Sequence, residues 1–163
     1  VKAFFSTAKK FNVNLSIINA VHESNQNRIK NVANKIINFV ESGSRLSFLG
    51  LSFKPNTDDI RDSSSIKLAN YLFENGYQIN CFDPVAMDNS KKEFNHFRYF
   101  DTAFDACKNT NAIIIGTEWN EFRALNFLEI SKIVKTKKIF DLRNIYNALE
   151  LEKLGFKYYG TGK

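Results

Sequence analysis

The sequence predicts an α/β fold: a doubly wound, mostly parallel sheet preceded by a long helix. Three observations carry the prediction. From residue 45 onward, short apolar runs alternate with amphipathic stretches of helical length. One run, 112–116 (Ala-Ile-Ile-Ile-Gly), is apolar throughout, as strands buried on both faces are. Ahead of these, residues 14–41 keep apolar positions Ile18, Val21, Ile29, Val32, Ile36 and Val40 at three- and four-residue spacing.

The elements follow in order. Residues 1–12 form a helix closed near Asn12, and residues 14–41 a second, longer one of about 40 Å. Asn25 interrupts the apolar stripe of that long helix on its own face. Periodicity alone allows two roles for it, a connector or dimer strut, or an amphipathic helix lying on its own domain. After the Ser-Gly-Ser turn at 42–44 come a strand over 45–51, a helix over 64–75 closed by Gly76, and a strand over 77–82 ending at Asp83-Pro84. Residues 85–96 are polar and irregular, with room for one short helix. Then follow a short strand 97–100, a helix 102–108, the buried strand 112–116, a helix 127–134, a strand 138–141, a helix 148–154 closed by Gly155, and a last strand 157–160.

Composition narrows the function. Of 163 residues, 44% are hydrophobic and 25% charged, ordinary for a packed globular chain. Two prolines against 16 phenylalanines favour packed elements over disorder. No apolar run reaches the roughly 20 residues of a membrane span. The net charge of +6 invites a nucleic-acid reading, but the cations are scattered. The densest group, Lys132, Lys135, Lys137 and Lys138, sits where a helix end carries cations anyway, and no nucleic-acid motif accompanies it. Cys81 and Cys107 lack metal-ligand spacing and are expected as reduced, buried thiols. His22 and His96 are isolated, so neither a metal site nor a nucleophile–base pair is indicated. The chain begins at Val1 inside a helical stretch, so the expectation is a fragment of a longer protein.

The chemistry gathers behind the strands. After the first come Lys54 and Arg61; after the second, Asp83; after the third, Thr117, Glu118 and Trp119; after the fourth, Arg143 and Asn144. Parallel strands present these ends along one edge, where doubly wound sheets bind ligands. Cations there suit a phosphate or diphosphate, arginine by a two-pronged contact and lysine as a point charge. Asp58 and Asp59 either orient those cations or cap the next helix. Trp119 and Phe122 read as an apolar cover over the loop. No Gly-x-Gly-x-x-Gly follows the first strand, only Gly50, so dinucleotide binding of the usual kind is not indicated in this chain.

These residues carry a resemblance. Gly50-Leu-Ser-Phe-Lys-Pro-Asn-Thr-Asp-Asp-Ile-Arg61 resembles the opening of the C-terminal domain in the UDP-glucose 6-dehydrogenase family. The likeness continues through Phe82-Asp-Pro84, Thr117-Glu-Trp-Asn-Glu-Phe-Arg123, Asp141-Leu-Arg-Asn-Ile-Tyr146 and Gly155-Phe-Lys-Tyr-Tyr-Gly-Thr-Gly162. It departs at Leu142, where the family usually has glycine.

The resemblance implies a Rossmann-like UDP-sugar domain over residues 45–163, behind a partial central helical region, 1–44, that builds a homodimer. It implies that Phe53 and Lys54 hold the nucleotide sugar, that Arg143 contacts it, and that Arg61 reaches NAD bound by another domain. It implies the chemistry of the complete enzyme too: UDP-glucose is oxidised to UDP-glucuronate with two NAD, through a cysteine-bound intermediate, in the cytoplasm, without nucleic-acid or membrane partners. The family's Cys-x-Pro-Lys-Asp segment and glycine-rich loop are not in this chain, so it is expected to bind rather than react. Two alternatives stand beside this reading. One is another nucleotide-sugar dehydrogenase, for a UDP-N-acetylhexosamine or GDP-mannose, and the other is a non-catalytic nucleotide-binding module.

Overall fold

A computed structural model describes residues 2–162. Two helices come first, α1 (Lys2–Lys10) and α2 (Ser16–Phe39). The rest alternates: β1 (Arg45–Leu49), α3 (Ser64–Glu74), β2 (Gln78–Phe82), α4 (Met87–Glu93), β3 (Arg98–Tyr99), α5 (Ala103–Cys107), β4 (Ala112–Ile115), α6 (Asn120–Arg123), α7 (Phe127–Ile133), β5 (Lys138–Asp141), α8 (Ala148–Lys153) and β6 (Lys157–Gly160). The six strands form one sheet in the order β3-β2-β1-β4-β5-β6, parallel at every pair. The doubly wound sheet is thus observed, and the expectation of a mostly parallel sheet sharpens to a fully parallel one among the described residues.

Period-2 alternation sorts the strand side chains between two cores. Leu46 and Phe48 of β1, with Ala112 and Ile114 of β4, pack with α2 and α3 residues such as Ala33, Ile36, Leu68 and Leu72. Leu49, Ile113 and Ile115 point to the other face, against Ala106, Phe122, Ile130 and Leu151. Each Leu, Ile or Phe among these contributes about 1.5–3 kcal/mol when fully buried.

Local chemistry sets the ends. Ser63 caps α3 by accepting from the Ile66 N–H at 3.4 Å, and Gly76 closes it at φ +88°. Thr102, Asn126 and Asn147 cap α5, α7 and α8 in the same way. β1 stops at Leu49, two residues earlier than the apolar run suggests, because Gly50 turns the chain at φ +91°. The irregular stretch 85–96 contains α4. A one-turn helix, α6, forms where the hydrophobic pattern gave no signal.

Helix α2 is about 36 Å long, and its two halves differ. Ala33, Ile36 and Val40 are buried against the sheet layer. Val40 O accepts from the Tyr77 hydroxyl at 2.8 Å, and Lys35 Nζ donates to Gly160 O at 3.3 Å. The first half instead pairs with α1, where the rings of Phe5 and His22 stack at 4.1 Å. Phe4, Phe11, Val13, Ile17 and Val21 of this helical pair stay exposed.

Candidate binding crevice

The strand register brings Leu49, Phe82, Ile115, Asp141 and Gly160 to one row, so the loops behind five strands share an edge. β1 and β4 are neighbours whose chains leave toward opposite sides of the sheet, the switch point at which such folds form a crevice. Two glycines let the loops meet there. A Cβ on Gly50 would stand 2.6 Å from both Cβ and N of Thr117. One on Gly116 would fall on the Ser65 hydroxyl and within 2.5 Å of Gly50 O. The Thr117 hydroxyl donates to Ser52 O at 2.7 Å and the Ser65 hydroxyl to Gly50 O at 2.5 Å.

Asp83, one of the polar groups expected along the crevice edge, is the bolt of this junction. It is only 1% exposed. One carboxylate oxygen accepts from the N–H groups of Leu51 (2.7 Å) and Ser52 (3.0 Å), the Ser52 hydroxyl and the Trp119 indole. The other accepts from the N–H groups of Val85 and Ala86. Thr117 is likewise consumed by the fold. Trp119 is buried over the loop, with Phe122 in the core beneath, as an apolar cover requires.

Asp141 performs the matching task behind β5. It accepts from the N–H groups of Arg143 (3.0 Å), Ile145 (2.8 Å) and Tyr146 (3.1 Å) and from the Tyr158 hydroxyl (2.9 Å). Burial, and then the bond to Asp141, push the Tyr158 hydroxyl well above the usual phenol range. Asn144 clasps the backbone of Thr161 from both sides, donating to its O and accepting from its N–H at 3.0 Å. The left-handed conformation in this loop falls on Asn144 (φ +53°) and not on Leu142, so Leu142 sits there without backbone strain.

The main cavity, about 810 Å³, lies between the first half of α2 and this edge. Phe53, Gly116, Leu142 and Arg143 line it from the sheet side, Lys67 from α3, and His22, Asn25 and Arg28 from α2. Arg143 is 29% exposed. Its Nε donates to Gly116 O at 2.7 Å and stands 3.1 Å from Glu118 Oε2. That oxygen is buried and accepts no hydrogen bond, because the Nε–H points at the carbonyl; the contact is one of charge alone.

Of the four residues that sequence singles out, the structure brings Phe53 and Arg143 into this cavity. Lys54 is exposed and does not line it. Arg61 faces a separate cavity of about 480 Å³ shared with Asp58, Asn89 and Lys92. Its guanidinium grips Asp59 with both prongs, at 3.0 and 2.9 Å, while 87% exposed. Asp59 therefore orients Arg61, and its carboxyl is held below the usual range by those bonds. Asp58 accepts from Asn89 of α4 at 3.0 Å, and neither aspartate caps α3. Arg28, Lys67 and Gly116 escape sequence reasoning; the one signal on α2 is the broken apolar stripe at Asn25.

Both cysteines are buried free thiols, as expected. Burial pushes the Cys107 thiol up to about 12 and also holds the Cys81 thiol well above its ordinary value. Among the described residues no cluster of His, Cys, Asp and Glu could hold a metal ion, and no helix is long and apolar enough to cross a membrane.

The family model "UDP-glucose/GDP-mannose dehydrogenase family, UDP binding domain" matches residues 47–148. UDP-glucose 6-dehydrogenase of Rickettsia conorii is 36% identical over 167 residues, covering 99% of this chain but only 39% of that protein. The Rhizobium meliloti enzyme of the same name is 35% identical, over 99% of this chain and 38% of its own. Among solved structures, a UDP-glucose dehydrogenase from Pyrobaculum islandicum superposes with a TM-score of 0.82 at 25% identity, over 97% of this chain and 34% of that one. A GDP-mannose dehydrogenase shares the fold with a TM-score of 0.76 at 21% identity, over 98% of this chain and 37% of that one. The chain spans about two-fifths of the length of the curated relatives it matches, and it belongs to the UDP-glucose/GDP-mannose dehydrogenase family, as that family's UDP-binding domain.

Proposed function

We propose that the chain is the UDP-binding part of a UDP-glucose 6-dehydrogenase, which oxidises UDP-glucose to UDP-glucuronate with two NAD in the cytoplasm. The observation that carries this reading is the cavity at the switch point, walled by Phe53 and the half-buried Arg143. A ring against the nucleoside and a guanidinium on an anionic ligand are the contacts such a ligand needs. Lys54 contributes from the rim, one residue beyond Phe53.

Arg61 fits NAD as an outer contact. Its guanidinium is oriented by Asp59 and exposed, suited to a phosphate held by another part of the protein. NAD would supply the hydride acceptor; this chain's own residues bind and orient the nucleotide sugar. Residues 1–44 act as the central helical region of a homodimer. The exposed Phe4, Phe11, Ile17 and Val21 support that role, and the second half of α2 joins the strut to the binding unit of residues 45–163.

Calorimetric titration of the chain with UDP, against GDP and ADP, tests the reading. Selective binding of UDP is expected, with Lys54→Ala weakening it by about 1–3 kcal/mol, the scale of a lost charge-assisted contact. Equal affinity for all three nucleotides removes the UDP assignment. Unchanged affinity in the variant removes Lys54 from the site.

A further inference from the structure

We propose that Arg28 of α2 is a phosphate-binding residue of the crevice, closing it from the helix side opposite Arg143; the inference rests on the UDP-binding reading above.

Among the described residues three cations, Arg28, Lys67 and Arg143, line the 810 Å³ cavity beside one acid, Asp62. Two already face acids. Lys67 Nζ lies 3.2 Å from Asp62 Oδ1, and Arg143 Nε lies 3.1 Å from Glu118 Oε2. Among the described residues, nothing forms a hydrogen bond or ion pair with Arg28. A paired cation offers an incoming anion a field reduced by its partner, whereas an unpaired one offers its full charge and all five donors. The positive potential of the cavity is therefore set mainly by Arg28.

The course of α2 supports the same assignment. Its inward stripe is apolar where it meets the sheet, at Ile29, Val32, Ala33, Ile36 and Val40. Over the cavity, which Ile29 and Val32 also line, polar residues join it at His22, Asn25 and Arg28. Asn25 and Arg28 are exposed and bound the cavity, which places them to meet a ligand. The ligand class is a diphosphate, whose oxygens match a guanidinium fork on one wall and another on the facing wall.

The test is calorimetric titration with UDP of the unmodified chain and of Arg28→Ala, Arg28→Lys, Lys30→Ala and Arg143→Ala. Arg28 is exposed, so its variants keep the fold. Arg28→Ala is expected to weaken UDP about 10- to 100-fold. Arg28→Lys recovers part of that, Lys30→Ala changes nothing, and the salt dependence of binding becomes shallower in Arg28→Ala. Affinity within about twofold of the unmodified chain for Arg28→Ala, beside a clear loss in Arg143→Ala, overturns the role of Arg28 and leaves the UDP reading standing. An equal loss in Lys30→Ala also overturns it, since a general field would then suffice. If neither Arg28→Ala nor Arg143→Ala weakens UDP, or if the unmodified chain fails to bind it, the crevice reading falls and takes this inference with it.

Discussion

The loops behind β5 and β1 both carry a cation expected to meet the ligand, yet they are held in opposite ways. Behind β5 the whole run from Asp141 to Tyr146 hangs on one buried carboxylate, and Arg143 is half-buried with its Nε on Gly116 O. Behind β1 the root is the part fastened to a buried carboxylate, where Leu51 and Ser52 donate to Asp83. The tip beyond it is tied back by the Phe53 N–H to Asp59 O bond and by Asn89 of α4 donating to Asp58, and both Lys54 and Arg61 stand in solvent. The difference separates a preorganised contact from one that must be ordered on binding. A side chain already in place loses little entropy when ligand arrives, whereas a free lysine loses up to about 2 kcal/mol of rotamer freedom.

The comparison breaks first at its two carboxylates. Asp83→Ala leaves six donors in the junction without their acceptor, and is expected to cost about 3–5 kcal/mol. Asp141→Ala frees four, and should cost about 2–4 kcal/mol. Urea unfolding measures both. A midpoint shift worth less than about 1 kcal/mol in either would mean that loop is held by packing instead. If Asp141→Ala folds at low temperature, its Arg143 should also lose its part in UDP binding, which Asp83→Ala, acting at the other loop, affects through Phe53.

Gly116→Ala probes the point where the two loops touch. The added methyl would meet the Ser65 hydroxyl and Gly50 O, both buried and neither at the end of a long side chain. Overpacking of this kind costs about 1–3 kcal/mol. Thermal unfolding beside Gly43→Ala, where nothing lies within 4 Å but φ is +77°, a strain that Gly116 does not carry, separates crowding from backbone strain. A smaller loss for Gly116→Ala than for Gly43→Ala would contradict the close approach of the β1 and β4 loops.

The same two loops show what a sequence can carry. The alternation of apolar runs and the all-apolar Ala112–Ile115 made the sheet legible, because burial on both faces leaves no polar residue in a central strand. Arg143 was legible as a crevice residue because parallel strands share a carboxyl edge, and Phe53 only through the family motif that opens at Gly50. Asp83 was not, since a carboxylate that faces a ligand and one that faces backbone are the same letter. Its partners Leu51 and Trp119 lie 32 and 36 positions away, and only the fold brings them close. Arg28 was hidden for the converse reason: on a helix, a cation over a cavity has the same periodicity as one in open solvent. The helix α6 at Asn120–Arg123 is too short to show a period at all.

The smallest effect belongs to the tip of the β1 loop. The Arg61 side chain, donating to both oxygens of Asp59, holds that carboxyl below its usual range. A folded value below the unfolded one means that the stabilisation is fully present above the unfolded value, near pH 4. It is lost as pH falls through the lower folded value. The loss should therefore begin below about pH 4 and leave neutral solution untouched. Because the pair is exposed, salt screens it and its share of stability is small. Carboxyl NMR across an acid titration reads it directly: Asp59 should titrate below an ordinary exposed aspartate, and Arg61→Ala should return it to the common range. Comparison with Asp105 supplies a control, since its low value comes from Lys108 and Thr102 and should not move in that variant. If Asp59 titrates normally in the unmodified chain, the Arg61 fork is open in solution. Both cations of the β1 loop would then be ordered only by ligand, and the contrast with Arg143 would be wider than the structure draws it.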